Sequence, residues 1–98
     1  MNEMVMIVAY VRRARRLAVG QALRQLEQGA WTEADVLGHG QAAAGHGVEH
    51  VRFELVVEKS RAEACGHAIE QAAATGVDGD GIIAVMPVLS TMGIGSSR

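Results

Sequence analysis

Cysteine is almost missing from this 98-residue chain. Cys65 stands alone, so no internal disulfide can staple the fold, and the usage fits a reducing compartment. Aromatics are equally scarce. Tyr10, Trp31 and Phe53 are the whole set, which leaves the core to Val, Ile, Leu, Met and Ala, although 49% of residues are apolar. No run approaches the roughly 20 apolar residues of a membrane helix. The apolar start, Met1 to Tyr10, lacks the basic opening and cleavage site of a signal peptide. A net charge of −2 gives no general attraction to nucleic acid or to anionic membranes. The expectation is one small cytoplasmic domain over residues 1–89, bound to no nucleic acid and inserted in no membrane, with 90–98 a flexible Gly/Ser-rich tail. A core this thin often gains stability from subunit association.

Recognisable catalytic machinery is missing as well. Cys65 falls on an apolar helix stripe, where a thiol is inert. No serine or cysteine stands in a nucleophile motif. Glu33 and Asp35 share a strand face without an acid–base partner. The expectation is a protein that is not an enzyme.

What is present is a clear alternation of elements. Met4 to Val11 is a short apolar run rich in Val and Ile and reads as a buried strand. A helix follows over Arg13 to Gln28, with Val19, Ala22, Leu23 and Leu26 on one stripe and Gly29 at the stop. Trp31 to Leu37 is a second strand, with Thr32, Ala34 and Val36 on one face and the two acids on the other. Gly38 to Gly47, with four glycines, is loop. From Val51 to Glu58 apolar residues alternate as in a half-buried strand. Ser60 is expected to cap the next helix, with Glu63 completing a capping box; Ala62, Cys65, Ile69, Ala72 and Ala73 form its buried stripe and Gly76 its end. Ile82 to Leu89 is the last strand. The order βαββαβ, with "LRQLEQGA" echoed by "AIEQAAATG", implies a four-stranded antiparallel sheet with both helices on one face: a ferredoxin-like α+β sandwich. Its other face is open in a lone chain.

The segment from Thr75 to Met86 is the most informative. Gly76, Gly79 and Gly81 flank a Gly-Asp-Gly turn between helix and strand, where glycine permits positive φ. Such a concavity suits an anion, and also serves as a plain tight turn. Within this architecture, "TG-x-x-GDG-x-I" resembles the PII signalling proteins, the nitrogen-regulatory family. "TEADVLGHG" is similar to the PII second strand and its Gly-x-Gly exit, and "VRFELVVEKS" to the third strand. The resemblance implies a homotrimer with nucleotide held between neighbours and a signal passed to a partner protein, with a membrane transporter among the candidates. By position, Thr32, Gly38, Glu54 and Val56 would surround an adenine, and Gly40, Gly76, Gly79, Asp80 and Gly81 would line the phosphates.

Departures from the family pattern narrow this. PII proteins follow Gly-Asp-Gly with lysine, whereas this chain has Ile82. Their "R-I-R" run after the last strand is here Met92-Gly93-Ile94-Gly95. Each charge-assisted phosphate contact is worth about 1.5–3 kcal/mol, so the implied nucleotide carries less charge than ATP: AMP or a cyclic nucleotide. Arg98, or an arginine of the Arg12–Arg16 cluster in a neighbouring subunit, could replace the lost charge. The loop between the second and third strands is short and has no tyrosine, though Gln41 lies near the family's effector-binding glutamine. That loop region carries His39, His46 and His50, and imidazoles are common ligands of divalent metals. The alternative expectation is therefore a metal-binding or metal-tolerance accessory protein, similar to the CutA-like proteins. Arg12, Arg13, Arg15 and Arg16 crowd a helix start, where positive charge opposes the dipole, so compensating contacts are expected.

Overall fold

A computed structural model describes residues 3–40 and 45–95. Six elements follow in order: β1 (Met4–Arg12), α1 (Arg16–Gln25), β2 (Thr32–Gly38), β3 (Val48–Glu58), α2 (Lys59–Ala73) and β4 (Gly81–Val88). The strands form one sheet in the order β2-β3-β1-β4, antiparallel at every pairing. This is the ferredoxin-like α+β sandwich that the alternation implies.

Side-chain periodicity sets the two faces. Val5, Ile7, Ala9 and Val11 of β1 stand opposite Val57, Leu55, Phe53 and Val51 of β3, and both sets are buried. Val19 and Leu23 from α1, and Cys65, Ile69 and Ala73 from α2, complete the core. The other face carries Met6, Val8 and Tyr10 of β1, Arg52, Glu54 and Val56 of β3, and Ile82, Ala84 and Met86 of β4, by the same register. No helix among the described residues covers it, and Tyr10, Val56, Met86 and Ile82 are exposed there.

The helices run antiparallel and clamp each other's ends. Arg15, ahead of α1, donates from Nε to Ala72 O in the last turn of α2 at 2.9 Å. Arg61, in the first turn of α2, donates from Nη2 to Leu26 O just past α1 at 2.7 Å. Each guanidinium meets carbonyls at the negative end of a helix dipole, where positive charge is favourable.

Five boundaries differ from the sequence expectation. α1 is shorter than Arg13 to Gln28, because Arg13–Arg15 form a 3₁₀ turn. It ends at Gln25, and the left-handed residue that stops it is Glu27 rather than Gly29. Glu27 takes φ 59, and the bonds Glu27 N–H to Arg24 O (2.9 Å) and Gln28 N–H to Leu23 O (3.0 Å) make a Schellman cap with a glutamate in glycine's usual place. The Ser60–Glu63 capping box does not form. β3 runs straight into α2, the N-cap is Glu58 with extended backbone and no side-chain cap bond, and the Lys59 N–H goes to Glu3 O at 2.9 Å. α2 ends at Ala73, ahead of Gly76, and β3 begins at Val48, three residues before Val51.

Candidate functional site

The turn between α2 and β4 is braced by one carboxylate. Asp80 accepts hydrogen bonds from Thr75 N–H (2.6 Å), from Thr75 Oγ1 and from Arg12 Nε (3.2 Å). Arg12 also donates from Nη2 to Asp78 O at 2.9 Å. The glycines take the positive φ that the turn requires: 81° at Gly76, 85° at Gly79 and 138° at Gly81. Asp80 is therefore a structural brace. Its carboxylate is engaged by Thr75 and Arg12.

The Thr75 side-chain and backbone hydrogen bonds, with a smaller contribution from Arg12, hold the Asp80 carboxyl below its ordinary value. A depressed carboxyl pKa contributes stability that is present above the unfolded value, about 3.9, and lost as pH falls through the folded value. The turn should therefore loosen in acid. The check is NMR titration of Asp80 and of the Thr75 amide. Both should move together below the ordinary carboxylate range, and an Asp80 that titrates at its ordinary value would contradict the brace.

Between this turn and the exit of β2 lies a cleft of about 900 Å³. Gly38, His39 and Gly40 form one lip and Asp78, Gly79 and Gly81 the other, with Tyr10, Arg12, Val48 and His50 between them and Ile82 at the rim. Four of the expected site residues, Gly38, Gly40, Gly79 and Gly81, thus come together. Gly76 sits in the same turn but does not line the cleft. Arg12 is the one lysine or arginine among the lining residues, and its charge faces Asp80.

Thr32, Glu54 and Val56 lie elsewhere. Thr32 pairs with Glu54, six positions along the ladder from the Gly38–Val48 pair. At about 3.4 Å per residue this is about 20 Å. Gly81 is nearer: it pairs through Val11 with the level of Val51, three positions from Glu54, so it is the Gly38–Gly40 lip that stands far from the patch that Thr32, Glu54 and Val56 form on the open sheet face.

The three loop-region histidines do not form one cluster: His39 and His50 line the cleft and His46 does not. His39 and His46 are exposed. His50 is not a loop residue: it is buried in β3, with Nδ1 donating to Val48 O at 2.8 Å and the ring packed beneath Gly38, where a methyl group would lie 2.7 Å from Nδ1. The early start of β3 is what takes it from the loop. Among the described residues no group of three His, Cys, Asp or Glu could hold a metal ion. Gln41 and Arg98 lie outside the described residues.

The arginine cluster finds its compensation within the chain. Arg12 holds the turn, Arg13 lies 3.3 Å from Glu49 and 3.9 Å from Asp35, Arg15 caps α2, and Arg16 lies 3.6 Å from Glu33. Sequence reasoning missed Tyr10, Asp78 and the same-chain role of Arg12, because Arg12 reaches partners 66 and 68 residues away and no local pattern records such a contact.

Comparison with known proteins gives a consistent set of likenesses. Residues 4–97 match the family described as nitrogen regulatory protein P-II. A crystal structure of Arabidopsis thaliana PII bound to citrate is similar over 89% of this chain and 78% of that one, with 33% identity and a TM-score of 0.79. A comparison with curated protein sequences found no match. No helix among the described residues is long and apolar enough to cross a membrane.

Proposed function

The chain belongs to the nitrogen regulatory protein P-II family, a family of regulatory signalling proteins that bind small ligands, and from that premise we propose a homotrimer whose subunit clefts take an adenine nucleotide of low charge. AMP or a cyclic nucleotide is the ligand, and the bound state is signalled in the cytoplasm to a partner protein, with a membrane transporter as one candidate. The observation that carries this reading is the separation of Thr32, Glu54 and Val56 from the Gly38–Gly40 lip of the cleft. Thr32, Glu54 and Val56 stand about 20 Å along the sheet from the Gly38–Val48 end of the cleft. A base at the first group and a phosphate at the Gly38–Gly40 lip lie beyond a mononucleotide's reach on one chain, so that combination requires two copies.

Charge selects among nucleotides. The cleft offers Arg12, already facing Asp80, and presents Ile82 at its rim. One engaged guanidinium suits a single phosphate better than a triphosphate. His50, buried and bonded to Val48 O, is held away from a shared site with the exposed His39 and His46, which favours a nucleotide over a metal.

Calorimetric titration with AMP, cyclic AMP, ATP and citrate tests the proposal; citrate is included because the similar Arabidopsis thaliana structure is bound to it. AMP or cyclic AMP should bind more tightly than ATP. Arg12→Ala, which removes a charged hydrogen-bond donor from the cleft, should weaken that binding about tenfold or more. Light scattering should give three times the 10.3 kDa chain mass. Absence of nucleotide binding at millimolar concentration, or a stable monomer, overturns the reading.

A further inference from the structure

His50 is the one buried polar side chain among the described residues, 8% exposed, and it lines the ligand cleft. Its place in the sheet explains both facts. His50 stands opposite Arg12 of β1 and Val36 of β2, on the same side of β3 as Arg52 and Glu54 by the alternation of a strand. The Gly38 lip then closes over the ring. Buried polar groups are normally hydrogen-bonded, yet only one ring nitrogen is engaged. Nδ1 lies 2.8 Å from Val48 O, while Nε2 has no hydrogen bond among the described residues.

The partner of Nδ1 fixes what Nε2 can do. A carbonyl oxygen only accepts, so the neutral ring carries its proton on Nδ1 and leaves Nε2 as a bare acceptor. A bare acceptor in the cleft repels an anion. Protonation at Nε2 reverses this, because the ring keeps its bond to Val48 O and gains a positively charged N–H donor. Imidazole is the side chain whose charge changes between about pH 5 and 8. The charged and titratable groups around it set the condition for that change. Arg12 stands opposite on β1, and His39 belongs to the lip at the exit of β2. Arg52, on the same side of β3, is paired with Glu54. Asp78 lines the far side of the cleft, and Asp80 is held by Arg12. Arg12 is a like charge, and it opposes a second cation until an anion lies beside both.

We propose that His50 is a proton-coupled anion contact in the cleft: it takes up one proton at Nε2 as a ligand phosphate enters and, with Arg12, holds that phosphate. The proton comes from solvent and no covalent bond of the ligand changes. The inference rests on the nucleotide reading above and adds to it the residue that senses the phosphate and the condition under which it does so. Part of the charge missing at Ile82 is thereby supplied, but only with an anion in place. The bound state holds one proton more than the free state, so affinity rises as pH falls through the imidazole range, and the bound anion favours proton uptake by the same factor.

Cyclic AMP is the discriminating probe, because its phosphodiester keeps one charge across this range, whereas a phosphate monoester titrates near pH 6. Calorimetric titration of the full chain should show binding at least fivefold tighter at pH 6 than at pH 8. Buffers of different ionisation enthalpy should reveal net proton uptake at pH 7, and NMR of the imidazole nitrogens should show the His50 ring pass from neutral to charged on saturation. His50→Gln should bind at both pH values about as the wild type does at pH 8, while His46→Gln, outside the cleft, should keep the pH dependence. Binding of cyclic AMP without pH dependence, or a pH dependence that survives His50→Gln, overturns the role of His50 and leaves the nucleotide reading standing. If no nucleotide binds, that reading falls and inorganic sulfate becomes the probe: a His50 ring that turns charged supports the anion contact, and one whose signals sulfate does not move overturns it as well. If His50→Gln does not fold, the ring nitrogens of the wild type decide.

Discussion

Gly81→Ala should destabilise the protein by about 3 kcal/mol or more, a large share of the 5–15 kcal/mol by which small domains are stable. Two costs coincide at this position. φ is 138°, a backbone setting that strains any side-chain-bearing residue by about 1–3 kcal/mol. A methyl group there would lie 1.8 Å from Tyr10 O and 2.9 Å from Tyr10 C. These are backbone atoms of a central strand, and overpacking against such a neighbour costs about another 1–3 kcal/mol. Other glycines of the region set the contrast. At Gly76 a methyl group meets nothing within 4 Å, so only the φ of 81° opposes alanine. At Gly38 the obstacle is a side chain, the His50 ring, rather than backbone. Urea denaturation of the three alanine variants should rank Gly81 well above the other two. A loss below about 1 kcal/mol at Gly81 would mean that β4 can lift from β1 without consequence.

Removing both helix clamps, Arg15→Ala with Arg61→Ala, should cost about 3 kcal/mol in total. A hydrogen bond to a charged group is worth about 1.5–3 kcal/mol. Both bonds are part-buried, which places each at the lower end, with a few tenths more from the helix dipole. The two sites lie at opposite ends of the helix pair, so their losses should add within about 0.5 kcal/mol. Lysine at either position should restore part of the loss, as a charge without the guanidinium fork. Urea denaturation measures the sum. Strong non-additivity would place the two arginines in one cooperative unit. Cys65 gives an independent readout. Burial pushes its thiol up while the Arg61 charge pulls it down, so Arg61→Ala should leave the thiol even less prone to ionise. A rise in thiol reactivity would then report opening of the core, not activation of the cysteine.

The strands were readable because their signal is local. The alternation of Val51, Phe53, Leu55 and Val57 predicts the buried face of β3, and the same residues bury it. The turn glycines were readable for the same reason: backbone with positive φ selects glycine wherever it occurs. The helix ends were not. Ser60 followed by Glu63 is a sound local capping signal, but a neighbouring strand already supplies Glu3 O to the first helical amide, and a cap has no role where strand passes directly into helix. Glu27 holds a left-handed position that Gly29, two residues on, would fill at lower cost. His50 reads as a loop ligand until three more residues join β3. The Asp80 brace lies five residues from Thr75 and could have been read as a local side-chain turn, whereas the contacts of Arg12 depend on the full topology.

The placing of the Gly38–Gly40 lip about 20 Å from the open-face patch along one chain has a consequence for inheritance. If each site is a junction, every chain serves two sites and owns neither. A chain damaged only at Gly79 and a chain damaged only at Glu54 are each inactive alone, yet rings that mix them contain junctions with both halves whole, so two defective alleles restore part of the function between them. A chain that assembles but is damaged in both halves does the reverse, disabling two junctions in every ring it enters. Dominance would then follow from how the site is shared between chains.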